Sequence, residues 1–205
     1  MTAGTAPATT DRSDFRHVLV SGTKVGVAIG GAVVVYLLVS RLVPPGLGLS
    51  LLQTLIVVAA AVVATLLPAQ WTTARSTEGI AGAAAVGLWG TIVFMAIDVI
   101  LLRPFKAYPW TWDAVGGGST WWYLPIWWML GTFVAWLGGL VTAARARRGG
   151  NTSVVSLALP VVLGAVGVGL GLGFSQAGIG IPVAAGAGFS ATLIVFAVVA
   201  ALRKG

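Results

Sequence analysis

One carboxylate lies inside the apolar stretches of this chain. Asp98 sits in the run TIVFMAIDVILL, where a charged group costs about 2.5 to 3.5 kcal/mol on insertion scales. A buried acid of this kind can hold a proton or cation, or anchor the positive group of a ligand. It can equally be a near-interface carboxylate bonded to a neighbouring helix or paired with Arg103. A proton relay needs further ionisable groups at membrane depth, and the other apolar runs offer only Gln53, Thr54, Thr65 and similar side chains. The structural role is therefore the expectation for Asp98, with Arg103 as its candidate partner.

Other chemistries have little to work with. The chain has no cysteine and one histidine, His17, placed before the first apolar run and read as a solvated interfacial residue. That composition leaves no disulfide, thiolate metal site, iron–sulfur cluster or cysteine nucleophile, and no zinc-ligand spacing. No metal site is expected, and no pair of axial histidines is present for a haem within the bilayer. Gly116, Gly117 and Gly118 are not followed by Lys-Ser/Thr, so they do not form a phosphate-binding loop. An intramembrane hydrolase would need a nucleophile with a base, and the apolar runs supply hydroxyls without one. The expectation is a protein that is not an enzyme and has no predicted cofactor.

The elements that position these residues follow from composition. Of 205 residues, 58% are hydrophobic and 8% are charged, against roughly 25% charged in soluble domains. The apolar runs approach the roughly 20 residues that cross about 30 Å of hydrocarbon at 1.5 Å per residue. The reading is an all-α polytopic transmembrane helix bundle of about six spans, covering 19–40, 47–67, 80–102, 121–143, 153–173 and 179–202. Residues 1–16 read as a flexible cytoplasmic tail and 17–205 as the transmembrane domain, with an outer aromatic loop at 103–120. Pro44-Pro45-Gly46 marks the first turn. The last 50 residues or so would extend about 75 Å as one helix, so two spans are expected there, broken near Phe174 to Gly178. The first run is too long for a signal h-region and lacks an A-x-A-like cleavage site, so it is read as a retained span.

Orientation follows from the basic residues. With the N-terminus inside, Arg12, Arg16, Lys24, Arg75, Arg145, Arg147, Arg148, Arg203 and Lys204 are cytoplasmic, against Arg41, Arg103 and Lys106 outside. This is a positive-inside bias with both termini cytoplasmic. The net charge of +7 lies at span ends rather than along one face, so it is an orientation signal and no nucleic-acid partner is expected. The excess of Arg over Lys and the Ala/Val/Gly bias suggest a GC-rich bacterial genome, and with it the plasma (bacterial inner) membrane.

Small residues recur at helical spacing. Gly22, Gly26 and Gly30 form one stripe; Gly79, Ala83, Gly87 and Thr91 a second; Gly131, Ala135 and Gly139 a third. Residues four apart share a helix face, and small ones allow backbones to approach closely. Asp98 continues the second stripe. The fifth run, with Gly164, Gly167, Gly169, Gly171 and Gly173, reads either as a thin helix clasped on two sides or as a locally unwound segment of the kind that exposes backbone in transporters.

The stretch from Arg103 to Trp128 holds nine of the nineteen aromatic residues, including Trp110, Trp112, Trp121 and Trp122. Its default role is a belt at the outer headgroups. The alternative is a docking surface for a protein partner, a lipid or an apolar cofactor. Two functions follow: a non-catalytic subunit of a larger membrane complex, with membrane lipids and other subunits as partners, or a small transporter or channel using Asp98 and the glycine-rich fifth and sixth spans. The sparse set of buried polar groups favours the subunit.

Overall fold

The computed structural model describes residues 14–102, 123–174 and 180–203. Among them the chain forms six helices and no strand: α1 (Phe15–Leu42), α2 (Leu47–Trp71), α3 (Thr77–Ile97), α4 (Tyr123–Arg147), α5 (Val154–Phe174) and α6 (Ile181–Leu202). A π-helical turn, Asp98–Leu102, prolongs α3. Five helices are long and apolar enough to cross a membrane, and α5 carries a shorter apolar stretch, Val154–Gly169. This is a membrane-embedded helical protein.

Local chemistry sets the helix ends, and several lie beyond the apolar runs. Helix α1 begins at Phe15 because the Asp14 carboxylate accepts the His17 N–H at 3.2 Å, an N-cap that satisfies a donor left free by the first turn. Helix α2 continues through Pro68 to Trp71 instead of ending at Leu67. Thr72 then turns the chain: its buried hydroxyl lies 2.9 Å from the carbonyls of both Pro68 and Gly79 and donates to one of them. Ser76 caps α3 by accepting the Gly79 N–H at 3.2 Å, so the polar connection shortens to 72–76. Helix α4 stops where Gly149 adopts φ +66°, with Gly150 N–H returning to the Arg145 carbonyl at 3.1 Å. That left-handed position suits glycine. Asn151 and Ser153 restart the chain as α5, the Asn151 Oδ1 accepting the Ser153 N–H at 2.8 Å.

Helix α2 touches all five other helices. On one side α3 is held between α1 and α4; on the other, α5 and α6 pack on each other and on α2. The starts of α1, α3 and α5 gather at one end with the ends of α2, α4 and α6. His17 bonds to the Trp71 carbonyl, the Gln70 side chain donates to the Thr152 carbonyl, and Arg145 and Arg203 share one cleft. Lys24, Arg75, Arg145, Arg147, Arg148 and Arg203 all belong to this basic end, and Arg41 to the opposite one. One core cluster joins Leu137, Val161, Ala165, Phe189, Leu193 and Ala197 across α4, α5 and α6. A second joins Ala69, Ala74, Ile80, Ala83 and Ala143 at the basic end.

Candidate functional site

Small residues set the distances between helices. A Cβ added at Gly22 would lie 2.9 Å from the Val86 carbonyl oxygen, and one at Gly26 2.5 Å from that of Gly90. Gly30 faces Ile97, so the α1 stripe lies along α3 for its whole length. The second and third stripes meet each other. Gly87 sits against Ala135 and Gly131, Gly131 against Thr91, and Gly139 against Ile80 and Ala83. Helix α3 is therefore clasped on two faces, by α1 through Gly90 and by α4 through Gly87.

Three close approaches fall outside the stripes read from the sequence. Gly138 abuts the Thr65 carbonyl and joins α4 to α2; Gly164 abuts Thr192; Gly188 abuts Ala165. The last two close α5 against α6. Gly164 is one of the fifth-run glycines, whose spacing marks no single face, and Gly138 and Gly188 lie among other small residues, so sequence spacing does not assign their partners.

Asp98 is 3% exposed and opens the π-helical turn. One extra residue per turn there shifts the register after the Gly87–Thr91 stripe, a feature frequent at functional sites. Asp98 follows Ile97, which packs on Gly30 of α1. Its helix packs on α1, α4 and α2, whereas the glycine-rich α5 packs on α6 and α2. The structure thus places Asp98 and the fifth-span glycines on different sides of the bundle. Arg103, Trp110, Trp112, Trp121 and Trp122 lie outside the described residues, so the proposed Asp98–Arg103 pair and the aromatic docking surface do too.

His17 is not the solvated residue expected from its position. It is half-buried, with Nε2 2.9 Å from the Trp71 carbonyl and 3.3 Å from Ser21 Oγ. A carbonyl only accepts, so Nε2 carries a proton and donates it. The contact satisfies one of the carbonyls that the end of α2 leaves free. Lys24 Nζ lies 6.0 Å from the Trp71 ring centroid, at the outer limit of a cation–π contact. These residues tie α1 to α2.

Helix α5 is unbroken from Val154 to Phe174, Pro160 included, which excludes the unwound segment for that stretch. The break expected near Phe174 to Gly178 falls largely on residues outside those described, between this helix and the start of α6 at Ile181. Gly164 faces α6, but Gly167 and Gly171 meet nothing within 4 Å among the described residues. No group of three or more His, Cys, Asp or Glu residues comes together among the described residues. No protein-family model matches the chain, and no curated protein or solved structure proved similar to it.

Proposed function

We propose that this chain is a non-catalytic integral membrane subunit of a larger assembly, with six spans and both termini on the cytoplasmic side of a bacterial inner membrane. The observation that carries this reading is the fate of the glycines. Those at 22, 26, 87, 131, 138, 164 and 188 all face close neighbours inside the bundle, while Gly167 and Gly171, four residues apart on the exposed face of α5, face none among the described residues. A glycine in a helix interior costs about 1 kcal/mol relative to alanine, and two at this spacing admit the backbone of another helix. Leu163 extends the same face and is exposed. Helix α2 adds a second, partly uncovered surface: no residue of its most apolar 18-residue stretch is fully buried, and Leu51, Leu52 and Leu55 are exposed, although α2 is central to the bundle. The gathering of basic residues at one end supports the orientation.

Replacing Gly167 and Gly171 with Leu tests the reading. The variant is expected to insert and accumulate like the wild type, yet lose its companion chains in native-detergent purification by several-fold. A wild-type protein that migrates as a lone monomer would sink the subunit reading.

A second reading, a small transporter or channel, draws on Asp98 alone, a buried acid on a π-helical turn. Asn keeps hydrogen-bonding capacity without the charge. If the role is structural, Asp98→Asn is tolerated, while Asp98→Leu loses about 1–3 kcal/mol of stability. Equal loss of function in both variants at normal accumulation would show that ionisation is required and put the transporter ahead.

A further inference from the structure

The basic end contains a cleft of ≈ 470 Å³ between the ends of α4 and α6 and the start of α5. Arg145, Arg148 and Arg203 stand at it, and Leu157, Phe196 and Val199 belong to its apolar walls. We propose that this cleft binds an anionic phospholipid, its phosphate held by the three guanidiniums and an acyl chain lying along the apolar wall.

Charge is the first argument. Among the described residues no Asp or Glu lines the cleft. The acids nearest in level among the described residues, Asp14 and Glu78, belong to the starts of α1 and α3, across α2 and α4 from this site. Arg145 and Arg148 are three residues apart at the end of α4, so both project on one side of it. Arg203 follows the last turn of α6. The two helix ends carry partial negative charge that attracts these cations, but two half-charges do not neutralise three full ones. Arg145 is also positioned, its Nε donating to the Asn151 carbonyl at 3.2 Å. That bond uses one of five guanidinium donors and leaves the terminal pair for a phosphate.

Shape is the second argument, and it selects a lipid over a soluble anion. Phe196 lies seven residues before Arg203, so the apolar wall reaches about 10 Å below the charged rim along the helix axis. A free phosphate would occupy the rim and leave this wall unfilled. A phospholipid places phosphate and hydrocarbon at the same two levels. Basic pockets between transmembrane helices on the cytoplasmic side bind acidic headgroups by this arrangement.

The test uses the full chain purified in mild detergent, with ligand-dependent thermal stabilisation and native mass spectrometry as readouts. The probes are phosphatidylglycerol, phosphatidylcholine and inorganic phosphate. Phosphatidylglycerol is expected to bind and stabilise, and the other two are not. Arg148→Gln with Arg203→Gln leaves the Arg145–Asn151 bond in place and should weaken phosphatidylglycerol binding roughly thirtyfold, as expected for two charges lost near a headgroup. Arg147→Gln removes a charge from the same helix outside the cleft and should leave binding unchanged. Val199→Trp fills the apolar wall with every charge retained and should also weaken binding, which decides the matter if the double variant fails to fold. Equal stabilisation by phosphatidylcholine, an equal response to inorganic phosphate, an equal loss in Arg147→Gln, or full binding by Val199→Trp would each overturn the proposal.

Discussion

Around α2 the same apolar residue types are packed differently toward the two ends of the helix. Toward the basic end, Leu66, Ala69, Ala83 and Val161 are fully buried. Toward the opposite end, Leu38, Leu42, Leu51, Leu52 and Leu55 on α1 and α2 are exposed. Hydrophobicity does not separate the two groups. In a bilayer, lipid solvates leucine as well as a neighbouring helix does, so burial follows from close backbone approach and polar ties. The basic end has both: Gly138 against Thr65, the Thr72 hydroxyl, and the bonds from His17 to Trp71 and from Gln70 to Thr152. Near the opposite end, the Gln53 side chain donates to Ser40 Oγ at 2.9 Å and joins α2 to α1. The lesson is that α2 is a shared wall at one end and an open face at the other.

The largest expected effect comes from forcing the tight end apart. In Gly138→Ala the new Cβ meets the Thr65 carbonyl, and with backbone on both sides no flexible side chain can yield. Helices α2 and α4 must separate, at a cost of about 3 kcal/mol, the upper end of ordinary overpacking. Reversible unfolding in detergent measures it. A loss below about 1 kcal/mol would mean that this end yields easily and that the contrast between the ends is false.

A smaller effect is expected at His17. Replacement by Phe keeps the apolar body of the ring and removes the donor to the Trp71 carbonyl, for a loss of about 1 kcal/mol. The Gln variant retains an N–H donor and should recover part of it. If Gln and Phe behave alike, the His17 contact is packing rather than a hydrogen bond, and α1 is joined to α2 by other means.

The sequence made the class of this protein legible for a simple reason: apolar run length against hydrocarbon thickness needs no tertiary information. The small-residue stripes were legible as faces, since Gly22, Gly26 and Gly30 can only lie along one side of a helix. Their partners were not legible. The α1 stripe meets Val86, Trp89, Gly90, Val93 and Ile97, a mixed face with one glycine rather than another glycine row, because a groove accepts large side chains as well as small ones. Gly138 and the His17 bond depend on where two chain segments arrive, and nothing local encodes that. The cleft of Arg145, Arg148 and Arg203 was visible only as an orientation signal. Its third member lies 55 residues from Arg148 along the chain and joins the others through the packing of α4 on α6.

The smallest expected effect separates two adjacent glycines on α1 and tests the open face directly. A Cβ at Gly30 would lie 3.2 Å from Ile97 Cδ1, so α3 must give slightly, whereas Gly31 has nothing within 4 Å among the described residues. Alanine restricts the unfolded chain and favours the helix, so Gly31→Ala should stabilise the isolated chain by about 0.5 to 1 kcal/mol. Gly30→Ala gains the same backbone term but works against the Ile97 contact, so it should be neutral or destabilising. Detergent unfolding of the two variants side by side removes errors common to both. If Gly31→Ala is the more destabilising, the position is occupied in the isolated protein and the open face is closed. If it stabilises the isolated chain yet lowers recovery of companion chains, a partner helix approaches α1 at Gly31, as we propose another does at Gly167 and Gly171.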